Sequence, residues 1–472
     1  MLPMPKNYAI WPAVIQADKE SEMIIAPCER AFLLFEGETY DLTVFSVDGD
    51  EPEYYNPISY RYLKAVAHDG ILRFSYTFEG EKEYKIRLNY QGKLLQTLSV
   101  YALYEDLYAL QPLKGDYHSH SYRSDGARDP AAEAGHYREQ GYDFFALTDH
   151  NRYYPGGEID EVYEGVKTDF VRVYGEEVHT PGSVVHIVHV GGTESVADQY
   201  VHDREGYEKA IADYLPRVPA HIPEQYRSRY AMAMWSTDRI HAAGGLAIFA
   251  HPYWVTRSGV RNVNSELTRL FLTSGMFDAY ELVGGNELVG INCSVALLTE
   301  LMAEGVKLPL VGSSDVHTMA NDRTFPYYFT VCFAEGNDND SLIASVKAGK
   351  CVAVETNHAS GPEQYHYRCY GDFRLVTYAH FLLTNYFPQR QRICQGEGVA
   401  MRQFTVGEAD AALVEALARQ SADFTARFFG KKPPVLPTAQ MMDFENKWRK
   451  VHLNGPLTKG SHVFDVPANR QI

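Results

Sequence analysis

Cysteine is scarce in this 472-residue chain. Cys28, Cys293, Cys332, Cys351, Cys369 and Cys394 are scattered and form no Cys-x-x-Cys pair. That pattern excludes a thiolate zinc site and a dense disulfide framework, and a reducing, cytoplasmic setting is expected. No run approaches the ~18–20 apolar residues that cross a bilayer, so no membrane partner is expected. The opening MLPMPKNYAIWPAVIQADKE lacks a basic start followed by an apolar stretch, so no secretory leader is expected. Positive charge is also short: 44 Lys and Arg stand against 61 Asp and Glu, a net charge of -17 with His neutral. Such a surface repels a phosphate backbone, which argues against a nucleic-acid partner while leaving room for a local basic pocket. Internal repeats and low-complexity tracts are missing as well.

What the chain has is an ordinary globular composition, 45% hydrophobic and 22% charged. Its length predicts two or three domains, and its texture changes twice. Residues 1–108 read as β: partly alternating runs at 40–47, 71–78 and 84–90 are separated by turn signals such as Asp69-Gly70 and Gln91-Gly92. Short strands at that spacing predict a small β-sandwich, whose many Tyr and Phe side chains serve its core or a binding surface. Across 109–360, short apolar runs (143–148, 170–174, 184–188, 246–250, 279–283 and 308–311) alternate with helical stretches. One helix is predicted from Asp129-Pro130 to about Gln140, with an N-cap, proline at the first helical position and Gly141 beyond the end. Strand–helix alternation predicts parallel strands in a barrel or a doubly wound sheet. Residues 361–472 lack this rhythm and read as a mainly helical extension, with one helix at 408–429.

The chemistry-bearing residues stand at the ends of the apolar runs, where parallel barrels keep their active sites. In Gly115-Asp-Tyr-His-Ser-His120 the alternation of an extended chain puts His118 and His120 on one face. Asp125 follows in Ser124-Asp125-Gly126. Thr148-Asp149-His150, Gly175-Glu-Glu177, His186 or His189, His251, and the second alternate pair Asp315 and His317 come next. One such residue means little, but six strand ends in order predict a catalytic metal centre. Histidine with carboxylate suits zinc, iron or manganese, and a bridging carboxylate suits two ions held close together.

Taken together, His-x-His, Ser-Asp-Gly, Thr-Asp-His, Gly-x-Glu, the later histidines and Gly-Ser-Ser-Asp-x-His resemble the PHP (polymerase and histidinol phosphatase) family of metal-dependent phosphoesterases. The resemblance covers about 109–360. It is strongest to a subgroup with a preceding β domain that includes carbamate- and ester-cleaving relatives. It implies a distorted (β/α)7 barrel and two or three divalent ions. It further implies that His118, His120, Glu177 and Asp315 hold one ion, that Glu177 bridges to a second held by His186 and His251, and that Asp125, His150 and His317 hold a third. His186 is preferred to His189 because the family pattern is His, four small or apolar residues, then Gly, as in His186-Ile-Val-His-Val-Gly191. His189 then either lines the pocket or is buried.

A water bridging two ions becomes acidic enough to attack as hydroxide near neutral pH. Glu177, His317 and Asp149 are the candidate catalytic residues, with Asp149 also able to orient a ligand histidine. Arg123, His189, Tyr253 and Arg323 are the candidate substrate contacts, because arginine forks suit phosphate oxygens and an aromatic ring can stack. Arg257, Arg261 and Trp254 are further loop candidates, and Glu281 could support a ligand. The expected activity is hydrolysis of a small phosphate mono- or diester. The alternatives are a carboxylic ester, carbamate or amide hydrolase on the same site, or a metal-binding protein without turnover.

Overall fold

The computed structural model describes residues 7–48, 60–285, 288–318, 324–356 and 367–452. The chain divides into two compact units, Met1–Ala109 with Ala422–Ile472, and Leu110–Ser421.

The first unit holds β1 (Tyr8–Trp11), β2 (Val14–Gln16), β3 (Glu20–Pro27), β4 (Thr39–Ser46), β5 (Arg61–His68), β6 (Ile71–Thr77), β7 (Lys82–Tyr90), β8 (Lys93–Leu103) and the short α1 (Glu105–Tyr108). Period-two burial is clear in β7, where Tyr84, Ile86, Leu88 and Tyr90 face inward. The expected two-sheet sandwich is instead one continuous sheet, ordered β1-β3-β6-β5-β4-β7-β8-β2. The cause lies in β5. Its first residues, Arg61–Val66, pair with β4, while Ala67 and His68 pair with β6, so one strand carries the ladder around the core. The Gln96 side chain of β8 also donates to the Tyr8 carbonyl and accepts from the Tyr8 N–H, at 2.7 and 3.0 Å, which draws β1 back toward β8.

The second unit runs β9 (Gln111–Asp116), α2 (Pro130–Glu139), β10 (Phe144–Leu147), α3 (Pro155–Val162), β11 (Val171–Val178), β12 (Ile187–Val190), α4 (Ala197–His202), α5 (Arg204–Tyr214), α6 (Glu224–Ala242) and β13 (Leu246–Phe249). It continues through α7 (Ser265–Leu272), β14 (Ala279–Val283), α8 (Leu288–Ala303), β15 (Leu310–Gly312), β16 (Tyr328–Ala334), α9 (Asn339–Lys347), β17 (Cys351–Thr356), β18 (Tyr367–Tyr370), α10 (Phe373–Asn385) and α11 (Phe387–Thr405). Helix α12 (Ala411–Phe428) crosses the division, and α13 (Ala439–His452) belongs to the first unit. Helix α2 starts as predicted: the Asp129 carboxylate accepts from the Ala132 N–H and Pro130 fills the first turn.

The ten strands are ordered β15-β14-β13-β12-β11-β10-β9-β16-β17-β18. The sheet curls into a nearly closed barrel. Thr330 of β16 uses its hydroxyl to donate to the Gly312 carbonyl at 2.8 Å and to accept from the Gly312 N–H at 3.0 Å, tying β15 to the far side. The strands are not all parallel. β12 runs antiparallel to β11 and β13, and β16 runs antiparallel to β9. Residues 179–186 are too few for the crossover that a parallel successor to β11 requires, so the chain doubles back. This reversal puts the start of β12, rather than its end, beside the ends of its neighbours.

Gly115 lies where β9 meets β10. A Cβ there would stand 2.1 Å from the Phe144 ring, which is fully buried. Gly115→Ala must shift that ring and should cost about 1–3 kcal/mol of stability, as overpacking does. Urea unfolding of the variant checks this.

The expected boundary at 360/361 falls outside the described residues. Beyond it, the described residues up to Ser421 fall in the second unit. Helices α2 and α11 approach closely, since a Cβ on Gly398 would meet the Glu139 nitrogen at 2.2 Å. A buried ion network locks this contact: Arg138 Nε lies 2.9 Å from Glu397, and Arg390 Nη2 lies 2.6 Å from Asp143 and 3.3 Å from Asp169. Among the described residues no helix is long and apolar enough to cross a membrane.

Candidate metal centre

The site forms because two extended segments run side by side beyond β9 and β15. Ser119 bridges Val316 in parallel, the His120 N–H donates to the Val316 carbonyl at 3.0 Å, and the Asp315 N–H donates to the His118 carbonyl at 2.9 Å. That register brings His118, His120, Asp315 and His317 together. Ser119 is in turn fixed to the next strand by donating to the Ala146 carbonyl. A second parallel bridge, His150 to Glu177, aligns the ends of β10 and β11. His251 follows β13, and His186 immediately precedes β12, where the reversed strand begins. Gly284 and Gly285 let the chain after β14 hug the site. Gly285 has φ +49°, and a Cβ there would meet the His251 ring at 2.7 Å and Asp315 at 2.8 Å.

Glu177, 1% exposed, is the centre. Its Oε1 lies 2.8 Å from His186 Nδ1, 3.2 Å from His251 Nε2 and 3.3 Å from His179 Nε2. Its Oε2 lies 2.7 Å from His150 Nδ1, 3.4 Å from His120 Nε2 and 3.5 Å from His118 Nε2. Three imidazoles thus face each carboxylate oxygen. Asp315 Oδ1 stands 3.0 Å from His120 Nε2 and 3.3 Å from His118 Nε2. Asp125 Oδ1 stands 3.2 Å from His317 Nε2 and 3.4 Å from His150 Nε2.

These separations are short, yet His150 Nδ1, His186 Nδ1, His179 Nε2 and Glu177 Oε2 are buried without a hydrogen-bonding partner. The atoms converge on shared points more than they bond to one another, which is how ligands of a common ion are arranged. His120 Nε2 and His118 Nε2 face each other at 3.2 Å, an arrangement that favours a cation between their lone pairs. Ligand atoms lie within 4.8 Å of one another in the groups His120, Asp125, His150 and His317; His118, His120 and Asp315; Glu177, His186 and His251; and His150, Glu177 and His179. All-oxygen and all-nitrogen sets are avoided, so the donors fit zinc, iron or manganese.

Charge follows the same logic. Burial raises the Glu177 carboxyl, but His179, His186 and His118 outweigh it and hold it well below the usual carboxylate range. Burial also opposes a proton on His150 and His317, yet Asp125, joined by Glu177 at His150, lifts their pKa values to about 10 and about 9. For His186 burial prevails over Glu177 and the value falls to about 4. This is a cluster in which the carboxylates stabilise added positive charge.

Glu281, in the middle of β14, accepts from His118 Nδ1 at 2.9 Å. A proton held there leaves His118 Nε2 free to face Glu177 and Asp315, the arrangement that orients a metal-binding imidazole. Neighbouring Glu176 and Glu177 point to opposite faces of β11. Glu176 accepts from the Ser195 hydroxyl at 2.8 Å and the Val196 N–H at 2.6 Å, and it contacts His189 Nδ1 at 3.1 Å.

The other expected contacts are placed elsewhere. His189 is wholly buried against Glu176, with its ring stacked on Tyr153, on the strand face opposite to Glu177. Reversal of β12 sends His186 to the ligand end and leaves His189 within the strand, on the face of Glu176. Asp149 is also wholly buried; its carboxylate accepts from the Ser121 N–H and hydroxyl and from the Ser124 hydroxyl. It therefore holds the loop that carries Asp125. Arg123 forks onto Glu158 at 2.8 and 2.9 Å. Tyr253 is 3% exposed beneath the Arg261 guanidinium, while its neighbour Trp254 takes the place on the cavity wall. Arg323 lies outside the described residues.

Sequence reasoning missed His179. The signal was present, since Glu177-Val178-His179 repeats the alternate spacing of His118/His120 and Asp315/His317. A cavity of about 490 Å³ opens over the centre, lined by Asp125, His179, His186, Trp254, His317 and Thr324 among others.

No family model and no curated protein matches the chain. Solved structures similar to it include a two-domain protein of Bacteroides vulgatus ATCC 8482 containing a predicted PHP-like metal-dependent phosphoesterase. That likeness has 16% identity, 56% of this chain and 76% of that one covered, and a TM-score of 0.36. Another is a candidate metal-dependent phosphoesterase of Bifidobacterium adolescentis ATCC 15703, at 17% identity, 43% and 87% coverage and a TM-score of 0.31. A third is an amidohydrolase of Chromobacterium violaceum with bound sulfate and no metal, at 18% identity, 44% and 89% coverage and a TM-score of 0.31.

Proposed function

We propose that this chain is a metal-dependent hydrolase of a small phosphate mono- or diester. The observation that carries the reading is the buried Glu177 carboxylate with three imidazole nitrogens facing each oxygen. Divalent ions held there supply an acidic water near neutral pH and neutralise charge on the ester oxygens. His118, His120, Glu177 and Asp315 form one ligand set, Glu177, His186 and His251 a second, and Asp125, His150 and His317 a third. Several cations around one cavity suit a phosphate group, whose charge is spread over several oxygens. His317 lies partly exposed beside Asp125 on the cavity wall, with its Nδ1 2.9 Å from the Asp315 carbonyl, so its Nε2 is the nitrogen that would face an ion. Glu281 fixes the His118 ring, and Asp149 fixes the loop bearing Asp125.

One observation favours a second reading, cleavage of a carboxylic ester, carbamate or amide. The described cavity lining holds Trp254 and no arginine or lysine, and Arg123 is engaged by Glu158. The ligand set would serve that reaction equally.

The test is metal content together with hydrolysis of p-nitrophenyl phosphate, bis-p-nitrophenyl phosphate and a p-nitrophenyl carboxylic ester, for the native chain and His118→Ala. Bound metal with phosphate-ester turnover that is lost in the variant is expected. Turnover of the carboxylic ester alone selects the second reading. Bound metal with no turnover in any assay leaves a metal-binding protein, and activity indifferent to His118 removes this site from consideration.

A further inference from the structure

Nine side chains make up the ligand sets proposed above, and His179 is not among them. It follows Glu177 at the alternate position of an extended segment, so its side chain leaves the strand on the same face. Its Nε2 stands 3.3 Å from Glu177 Oε1, is buried, and has no hydrogen-bonding partner. A buried imidazole nitrogen left so is unfavourable unless something binds it. The ring stacks on His186 with centroids 3.7 Å apart and lies 4.4 Å from the His150 ring, so it stands between two proposed ligands.

Its position is also fixed from behind. The His179 N–H donates to Asn151 Oδ1 at 2.8 Å, and the Asn151 N–H donates to the Glu177 carbonyl at 2.9 Å. Asn151 directly follows His150 and has φ +54°. One residue therefore sets His150, Glu177 and His179 in a common frame, and their ligand atoms lie within 4.8 Å of one another.

We infer that His179 is a tenth metal ligand of the centre, taking through Nε2 an ion that Glu177 also holds. The inference rests on the metal-dependent reading above. Three metal-binding histidines would then face each of the two Glu177 oxygens.

The experiment titrates cobalt(II) into the metal-free full chain, its His179→Ala variant and its His179→Gln variant. It follows binding by equilibrium dialysis and the ligand field by visible absorption, with thermal unfolding of each metal-free protein as the fold check. Both variants should unfold with the native metal-free protein. Both should also lose one equivalent, or bind one ion at least about tenfold more weakly, as befits a contact closer than the outer partners that typically cost 10–100-fold. The cobalt spectrum should change in both. Unchanged stoichiometry, affinity and spectrum in the variants, with metal bound by the native chain, overturn the role of His179 and leave the hydrolase reading standing. No cobalt bound by the native chain overturns both.

Discussion

Glu177→Gln will empty the centre and abolish ester hydrolysis. The substitution keeps size and shape but removes the one charge that six imidazoles share. It also replaces one oxygen with an NH₂ group, which donates to a ring nitrogen and closes that side of the carboxylate to a cation. Loss of an outer partner of a metal ligand typically costs ~10–100-fold in affinity. Glu177 contacts both halves of the centre, so its loss should exceed that range, and turnover should fall to background. Metal content by atomic emission and hydrolysis of whichever p-nitrophenyl ester the native chain turns over read both effects. The fold should survive, because the Glu177 main chain keeps its hydrogen bonds from Asn151 and to Thr148. A variant that retains full metal and full activity would remove Glu177 from the centre.

Arg138→Leu should destabilise the second unit by about 3–5 kcal/mol, the usual consequence of deleting one partner of a buried ion pair. Arg138 is fully buried at the end of α2. It lies 2.9 Å from Glu397 on α11, also contacts Asp169, and donates to the Tyr142 carbonyl at 3.0 Å. Leucine removes the guanidinium from Glu397, itself fully buried, which keeps the Ser421 hydroxyl at 2.9 Å. The double variant Arg138→Leu, Glu397→Leu should recover much of the loss, because replacing a whole buried pair by apolar groups is often neutral or better. Urea unfolding of the two variants separates these outcomes, and a loss below about 1 kcal/mol would place the network among weak ion pairs.

The network also sets a pH dependence. Burial pushes the Asp169 carboxyl up, but Arg138 and Arg390 together hold it below the ordinary aspartate range. A carboxyl depressed by folding contributes stability that is present above its unfolded pKa and lost as pH falls through its folded one. Stability should therefore decline below about pH 4, and Arg138→Leu should decline less steeply there because one of the two guanidinium groups is gone.

The candidate ligands were legible in the sequence because their placement is local. Alternate residues of an extended chain share a face whatever surrounds them, which pairs His118 with His120 and Asp315 with His317. Three of the apolar runs became barrel strands where expected: β10, β13 and β14 fall within the runs at 143–148, 246–250 and 279–283. The start of α2 was readable from its cap and proline.

What stayed hidden depends on residues far apart in the chain. The direction of β12 follows from the length of 179–186 and from what lies beside it, and that direction decides between His186 and His189. Arg123 looked like a phosphate contact until Glu158 of α3 was set beside it, and Asp149 looked reactive until Ser121 and Ser124 closed over its carboxylate. The pairing of Arg138 and Arg390 with Asp143, Asp169 and Glu397 joins segments no local pattern connects. The sequence by itself determined which side chains could bind metal, because backbone alternation acts over two residues. Only the tertiary structure decided which of them meet, because convergence on Glu177 is a matter of strand register and packing across the whole barrel.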